Sequence, residues 1–120
     1  MIENLQKDLT IDFYLSVDIK DIQNYLLGAI NCFIKRNNDT WFKAKDIILS
    51  DWNGTPLQII YDFFETNGLS EEEARKQAGM CLGKILKKII SEDLRIFETR
   101  KFQDNPREYR LKPNNNTLYH

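Results

Sequence analysis

A chain of 120 residues with 42% hydrophobic and 29% charged residues and only three prolines has material for one core, which excludes a second core and a disordered body. Its net charge of −1 is unevenly spread: residues 1–73 hold 6 Lys+Arg against 13 Asp+Glu, a balance of −7, while residues 74–120 hold 11 against 5, a balance of +6. Such an asymmetry is the footprint expected of one surface meant for a polyanion and another kept away from it.

Residues 10–17 alternate Ile11, Phe13, Leu15 and Val17 against Thr10, Asp12, Tyr14 and Ser16, the period of a half-buried strand or arm. From Asp18, placed to cap a first turn, Ile19, Ile22, Leu26, Ala29, Ile30 and Phe33 recur at helical spacing, and the helix ends in Lys35, Arg36 and the turn Asn37–Asp39. Thr40, Trp41 and Phe42 form a short extended stretch. A second helix is predicted from Lys43 to about Asp51 with Ala44, Ile47 and Ile48 inward, followed by Trp52 and a turn at Asn53–Gly54. Thr55 and Pro56 open a third helix that buries Leu57, Ile60 and Phe64 and stops at Asn67–Gly68.

Ser70 with Glu73 makes a capping box, and Glu71, Glu72 and Glu73 suit the positive end of a helix dipole. The long helix begun there, residues 70–91, has an apolar face of Ala78, Cys81, Leu82, Ile85, Leu86, Ile89 and Ile90. Its other face carries Lys76, Met80, Gly83, Lys84, Lys87 and Lys88. Gly79 and Gly83 cost helix stability of about 1 kcal/mol each, so a close approach by a second helix or a phosphate is expected there, with helix packing preferred. Arg95 to Phe102 and Arg107 to Leu111, separated by Gln103–Pro106, read as a β-hairpin, and residues 113–120 as a polar tail.

The order helix, short strand, helix, helix, hairpin resembles a winged helix-turn-helix. The stretch from Trp41 to Lys112 is similar to winged-helix modules of phage and plasmid replication and regulatory proteins. The resemblance is carried by the aromatic residue before Ala44–Ile47, the run Cys81–Lys88 and the basic hairpin closing on Tyr109, Arg110 and Leu111. It implies a mainly α, α+β fold with residues 1–17 as an N-terminal strand or arm, 18–112 as the winged-helix domain and 113–120 as the tail.

The residues argue for nucleic acid independently. A helix fits the major groove while surrounding cations neutralise phosphates. Lys76, Lys84, Lys87 and Lys88 are candidates for phosphate contacts, and Arg75 and Gln77, near the helix start, for base reading. The hairpin adds Arg95, Arg100, Lys101, Arg107 and Arg110 for a minor groove or backbone. Trp41, Trp52, Phe63 and Phe64 are read as core rather than as base-stacking platforms.

Catalysis finds little footing. The single histidine is His120, and consecutive Glu71–Glu73 point apart and cannot converge on a metal. Glycine-rich phosphate loops, nucleophile elbows and zinc-protease motifs are missing from the sequence. Cys32 and Cys81 belong to no zinc-type spacing and read as buried thiols of a reducing, cytoplasmic compartment. No charged leader or membrane-length apolar run is seen.

The expected function is that of a DNA-binding protein without cofactor, a small transcriptional regulator or a replication or partition accessory factor of a mobile element. It would act on double-stranded DNA through residues 70–91 and 95–111, as a homodimer joined by the arm and first helix. The alternative is a protein-interaction module in which Asp12, Asp18, Asp21, Asp46, Asp51, Asp62 and Glu65 present an acidic face to a basic partner.

Overall fold

The computed structural model describes residues 12–48 and 50–112. Residues 12–16 are helical (α1), and α2 (Lys20–Arg36), α3 (Ala44–Ile47), α4 (Gln58–Thr66), α5 (Glu71–Glu92), β1 (Phe97–Arg100) and β2 (Glu108–Leu111) follow. The result is mostly helical, with one small antiparallel hairpin after the helices, an α+β arrangement.

The strand expected over residues 10–17 is corrected. Within its described part, the Val17 N–H donates to the Phe13 carbonyl at 3.0 Å, an i to i−4 helical bond. Phe13 is fully buried, with its ring edge-on to Phe63 at 5.3 Å and stacked on Phe64 at 6.3 Å. Burial of this one aromatic against α4 decides the local conformation, and the alternation of the neighbouring apolar residues does not: Leu15 remains 80% exposed. Thr10 and Ile11 lie outside the described residues.

The α2 stripe forms as its spacing requires, with Ile22, Leu26 and Ile30 buried and Asp18 accepting the Lys20 N–H at 3.0 Å at the helix entrance. Cys32, expected inside, is exposed on this helix, whereas Cys81 is buried. Period explains the difference: Cys32 falls two residues after Ile30 and so on the far side of the helix from it.

The second helix is shorter than its periodicity predicts. Asp46 accepts the Lys43 N–H at 2.9 Å and starts α3, but Ile48 is already extended, at φ −126° and ψ 134°. Beyond it, Asp51 accepts the Asn53 N–H at 2.9 Å, a local turn bond that competes with helix continuation. Before α4, the Thr55 hydroxyl accepts the Leu57 N–H and donates to the Trp52 carbonyl at 2.7 Å. The N–H groups of Gln58, Ile59 and Ile60 bond three residues back, so this turn is tighter than α and the regular helix starts at Gln58. Gly68, at φ +93°, closes the turn after α4, where a side chain would be strained.

Ser70 caps α5 by accepting the Glu73 N–H. Ala74, Ala78, Cys81, Leu82, Ile85, Leu86, Ile89 and Ile90 are buried, and α5 packs most extensively on α4 and also on α2. In the hairpin, Phe97 pairs with Leu111, Glu98 with Arg110, Thr99 with Tyr109 and Arg100 with Glu108. Phe42 joins on the other side of β2: its N–H donates to the Tyr109 carbonyl at 2.8 Å and its carbonyl accepts the Tyr109 N–H at 2.7 Å. The spatial order is therefore Phe42, β2, β1, and the buried side chains of Phe42 and Tyr109 tie the hairpin to the helical core.

Candidate nucleic-acid interface

Because α5 buries a stripe that includes Ala78, Cys81 and Ile85, the opposite side is left to solvent. There Lys76, Met80, Gly83 and Lys87 follow one another at spacings of four, three and four residues, flanked by Gly79 and Lys84, and all six are exposed. From Lys76 to Lys88 the helix contains four lysines and no carboxylate. Among the described residues none of Lys76, Lys84, Lys87 and Lys88 forms an ion pair. The expected tight helix crossing at the two glycines is corrected. A methyl group at Gly79 or Gly83 would meet nothing within 4 Å, so among the described residues no helix packs closely there. Gly83 instead leaves the surface low beside Lys76 and Lys87, whereas Gly79 lines a cleft that α5 forms with Ala44, Ile48, Trp52 and Tyr61.

The first turn of α5 differs. Arg75 pairs with Glu71 at 2.7 Å, with both side chains about 70% exposed, and the Gln77 amide donates to Glu73 at 3.4 Å. The two candidate base readers thus sit against the acidic run that caps the helix. A surface pair of this kind contributes only about 0.3–0.5 kcal/mol, so Arg75 can still exchange partners.

In the hairpin most of the cations are engaged. Arg95 makes a two-pronged pair with Asp93, at 3.0 and 2.8 Å, and lies 5.5 Å from the centre of the Phe97 ring. Those hydrogen bonds hold the Asp93 carboxyl below its usual range and raise the Arg95 guanidinium further, against an opposing effect of burial in each. The pair braces the passage from α5 into β1. Arg100 binds Glu108 at 2.6 Å, and Arg110 binds Glu98 at 2.7 Å with Asp39 at 3.8 Å. These are the cross-strand partners that the register places opposite one another. Arg107 bonds the Thr99 hydroxyl, and Lys101 the Gln103 carbonyl at the hairpin end.

Trp41, expected in the core, instead carries this network. The Arg100 guanidinium lies 3.9 Å from the centre of its ring and that of Arg110 4.7 Å, while Arg100 is also 5.1 Å from the Phe102 ring. Phe64 is fully buried, and Trp52 and Phe63 pack against the core. The sequence does hold a signal for the charge pairing: Glu98-x-Arg100 and Glu108-x-Arg110 place opposite charges across the strands once the hairpin register is drawn. The arginine shelf on Trp41 has no such signal, because Trp41 is far away in sequence.

The structure therefore gathers Arg100 and Arg110 on Trp41, and Lys76, Lys84, Lys87 and Lys88 on the outer side of α5. No hydrogen bond or ion pair joins the two groups among the described residues. All seven carboxylates of the acidic alternative are exposed, but Asp18, Asp46, Asp51, Asp62 and Glu65 each accept a hydrogen bond from within four residues. Among the described residues no helix is long and apolar enough to cross a membrane. Comparison of the chain with protein families, with curated proteins and with solved structures finds no match.

Proposed function

We propose that this chain binds duplex DNA, with the outer side of α5 from Lys76 to Lys88 against the phosphates and the hairpin acting as a wing beside it. One observation carries the reading: four lysines with no ion-pair partner among the described residues share an acid-free helical segment on the solvent side of α5. A carboxylate interleaved among them would cancel their field, and none is present. The order of Phe42, β2 and β1, with the long helix running directly into β1, supports the winged helix-turn-helix reading, since that module places its sheet and wing immediately after the recognition helix.

Phosphate contact by four lysines gives a slope of about −3.6 in log affinity against log salt. Affinity for a labelled duplex should then fall on the order of a hundredfold between 50 and 200 mM salt. Replacing Lys84, Lys87 and Lys88 together with alanine should remove most of the binding at either salt. Absence of binding by the native protein at low salt overturns the proposal. It would favour the acidic face, with its seven exposed carboxylates, as a surface for a basic partner protein.

Within the DNA reading, the chain acts by occupancy as a small regulator or as a replication or partition accessory factor of a mobile element, in the cytoplasm. Pairing of two copies on adjacent half-sites would extend a footprint too short for specificity in a single copy. Sedimentation with and without duplex tests the pairing.

A further inference from the structure

We infer that Phe102 is a stacking residue for a nucleobase of the bound DNA, an inference that rests on the DNA-binding reading above. Phe102 is 53% exposed at the end of the hairpin, and unlike Leu15, Leu94 and Ile96, which are more exposed still, it offers an aromatic face with a guanidinium over it. Its backbone is fixed: the Phe102 carbonyl accepts the Asn105 N–H at 2.8 Å, and Gln103 adopts φ +49° within that turn. One side of the ring is backed by Arg100, which rests in turn on Trp41 at 3.9 Å, with Arg110 also on Trp41 at 4.7 Å. Glu108 and Glu98 hold the two guanidinium groups in place. The ladder of guanidinium and aromatic planes ends on an exposed ring, and Lys101 stands next to it in the chain.

A pre-positioned aromatic face is what a base needs, because the cost of ordering the platform has already been met in the free protein. Every base offers a π-face, so such contact tolerates sequence. The same chemistry is offered by an unpaired base in a single strand and by a base step opened in a duplex, where phenylalanine is a known type of wedge. The engaged arginines fit this role better than phosphate capture, since they build the shelf.

The test measures affinity for a labelled duplex and for one of its separated strands at two salt concentrations, using native protein, Phe102→Ala and Phe102→Tyr. Stacking predicts that Phe102→Ala weakens at least one of the two on the order of fivefold to a hundredfold. The salt slope should not change, because no charge is removed, and Phe102→Tyr should bind like the native protein. A loss confined to the single strand identifies an unpaired base; a loss in the duplex identifies a base step. If Phe102→Ala binds both forms as the native protein does, while the triple lysine variant does not bind, stacking is refuted and the DNA reading stands. A changed salt slope in Phe102→Ala also refutes stacking, by showing that the effect runs through Arg100. If native protein binds neither form at low salt, both readings fall.

Discussion

Phe42 and Tyr109, 67 positions apart in the chain, exchange both of their backbone hydrogen bonds and bring their rings to 6.0 Å. Phe33 and Phe97 add rings at 5.2 and 6.5 Å from Phe42, which is 1% exposed. One side chain thus joins α2, the stretch before α3 and the hairpin. Phe42→Ala should cost about 3–5 kcal/mol, a large part of the 5–15 kcal/mol typical of a domain. Urea unfolding should show a lower midpoint, and amide exchange in β2 should accelerate. Unchanged protection at Tyr109 would mean that the hairpin is held independently of Phe42.

The division between α5 lysines that form no ion pair among the described residues and hairpin arginines that do separates two classes of variant. Each lysine on α5 that contacts a phosphate should reduce the salt slope of DNA binding by about 0.9 when replaced by alanine. Arg100→Ala also removes the partner of Glu108 and a cation from the Trp41 shelf, so its main effect should be on hairpin stability, with a smaller change in slope than Lys84→Ala. Salt titrations of the two single variants, with thermal unfolding in parallel, measure both quantities. A larger slope change for Arg100→Ala would place the phosphates on the hairpin.

The helices were legible because their signals are local. The α5 stripe, the Ser70 cap and the Gly68 stop depend on neighbours within one turn, and each lies where the spacing puts it. Residues 12–17 show where that reasoning ends: alternation fits a strand, but Phe13 finds Phe63 and Phe64, some 50 positions away, and their packing decides. Trp41 shows the same limit. Its neighbours in sequence suggest core, and its neighbours in space are two guanidinium groups from the hairpin. The shortening of α3 is not legible in the sequence, because periodicity over residues 43–51 says nothing of the turn bond made by Asp51.

The two cysteines should behave oppositely. Cys32 is exposed and should react with a thiol reagent in the folded protein, whereas Cys81 should react only on unfolding, giving one thiol natively and two in denaturant. Burial raises the Cys81 thiol from 9.0 to about 11, with a small opposing effect from Lys84. The folded state therefore holds this proton more tightly. The associated stability is complete below pH 9 and is lost as pH rises towards 11, so Cys81→Ala should flatten the alkaline limb of the stability curve. Asp93 has the other sign. Arg95 lowers its pKa, so its contribution is present above the ordinary carboxylate range and is lost as pH falls through the depressed value. Asp93→Asn should remove that acid dependence, as read from unfolding midpoints across pH 2–6.

Gly79 and Gly83 set stability against binding. Both lie inside α5 with open space beside them, so alanine at either position should fit without displacement and favour the helix by about 1 kcal/mol. The double variant Gly79→Ala, Gly83→Ala should melt several degrees higher than the native protein. Should the outer side of α5 press against a DNA backbone, the methyl group added at Gly83 would hold that backbone away from Lys76 and Lys87, and affinity would fall as stability rises. Opposite movement of the two measurements in one variant is difficult to obtain by damaging the fold, because damage lowers both. Higher stability with undiminished DNA affinity would show that nothing comes close to the glycines, and would move the contact from the middle of α5 to its ends.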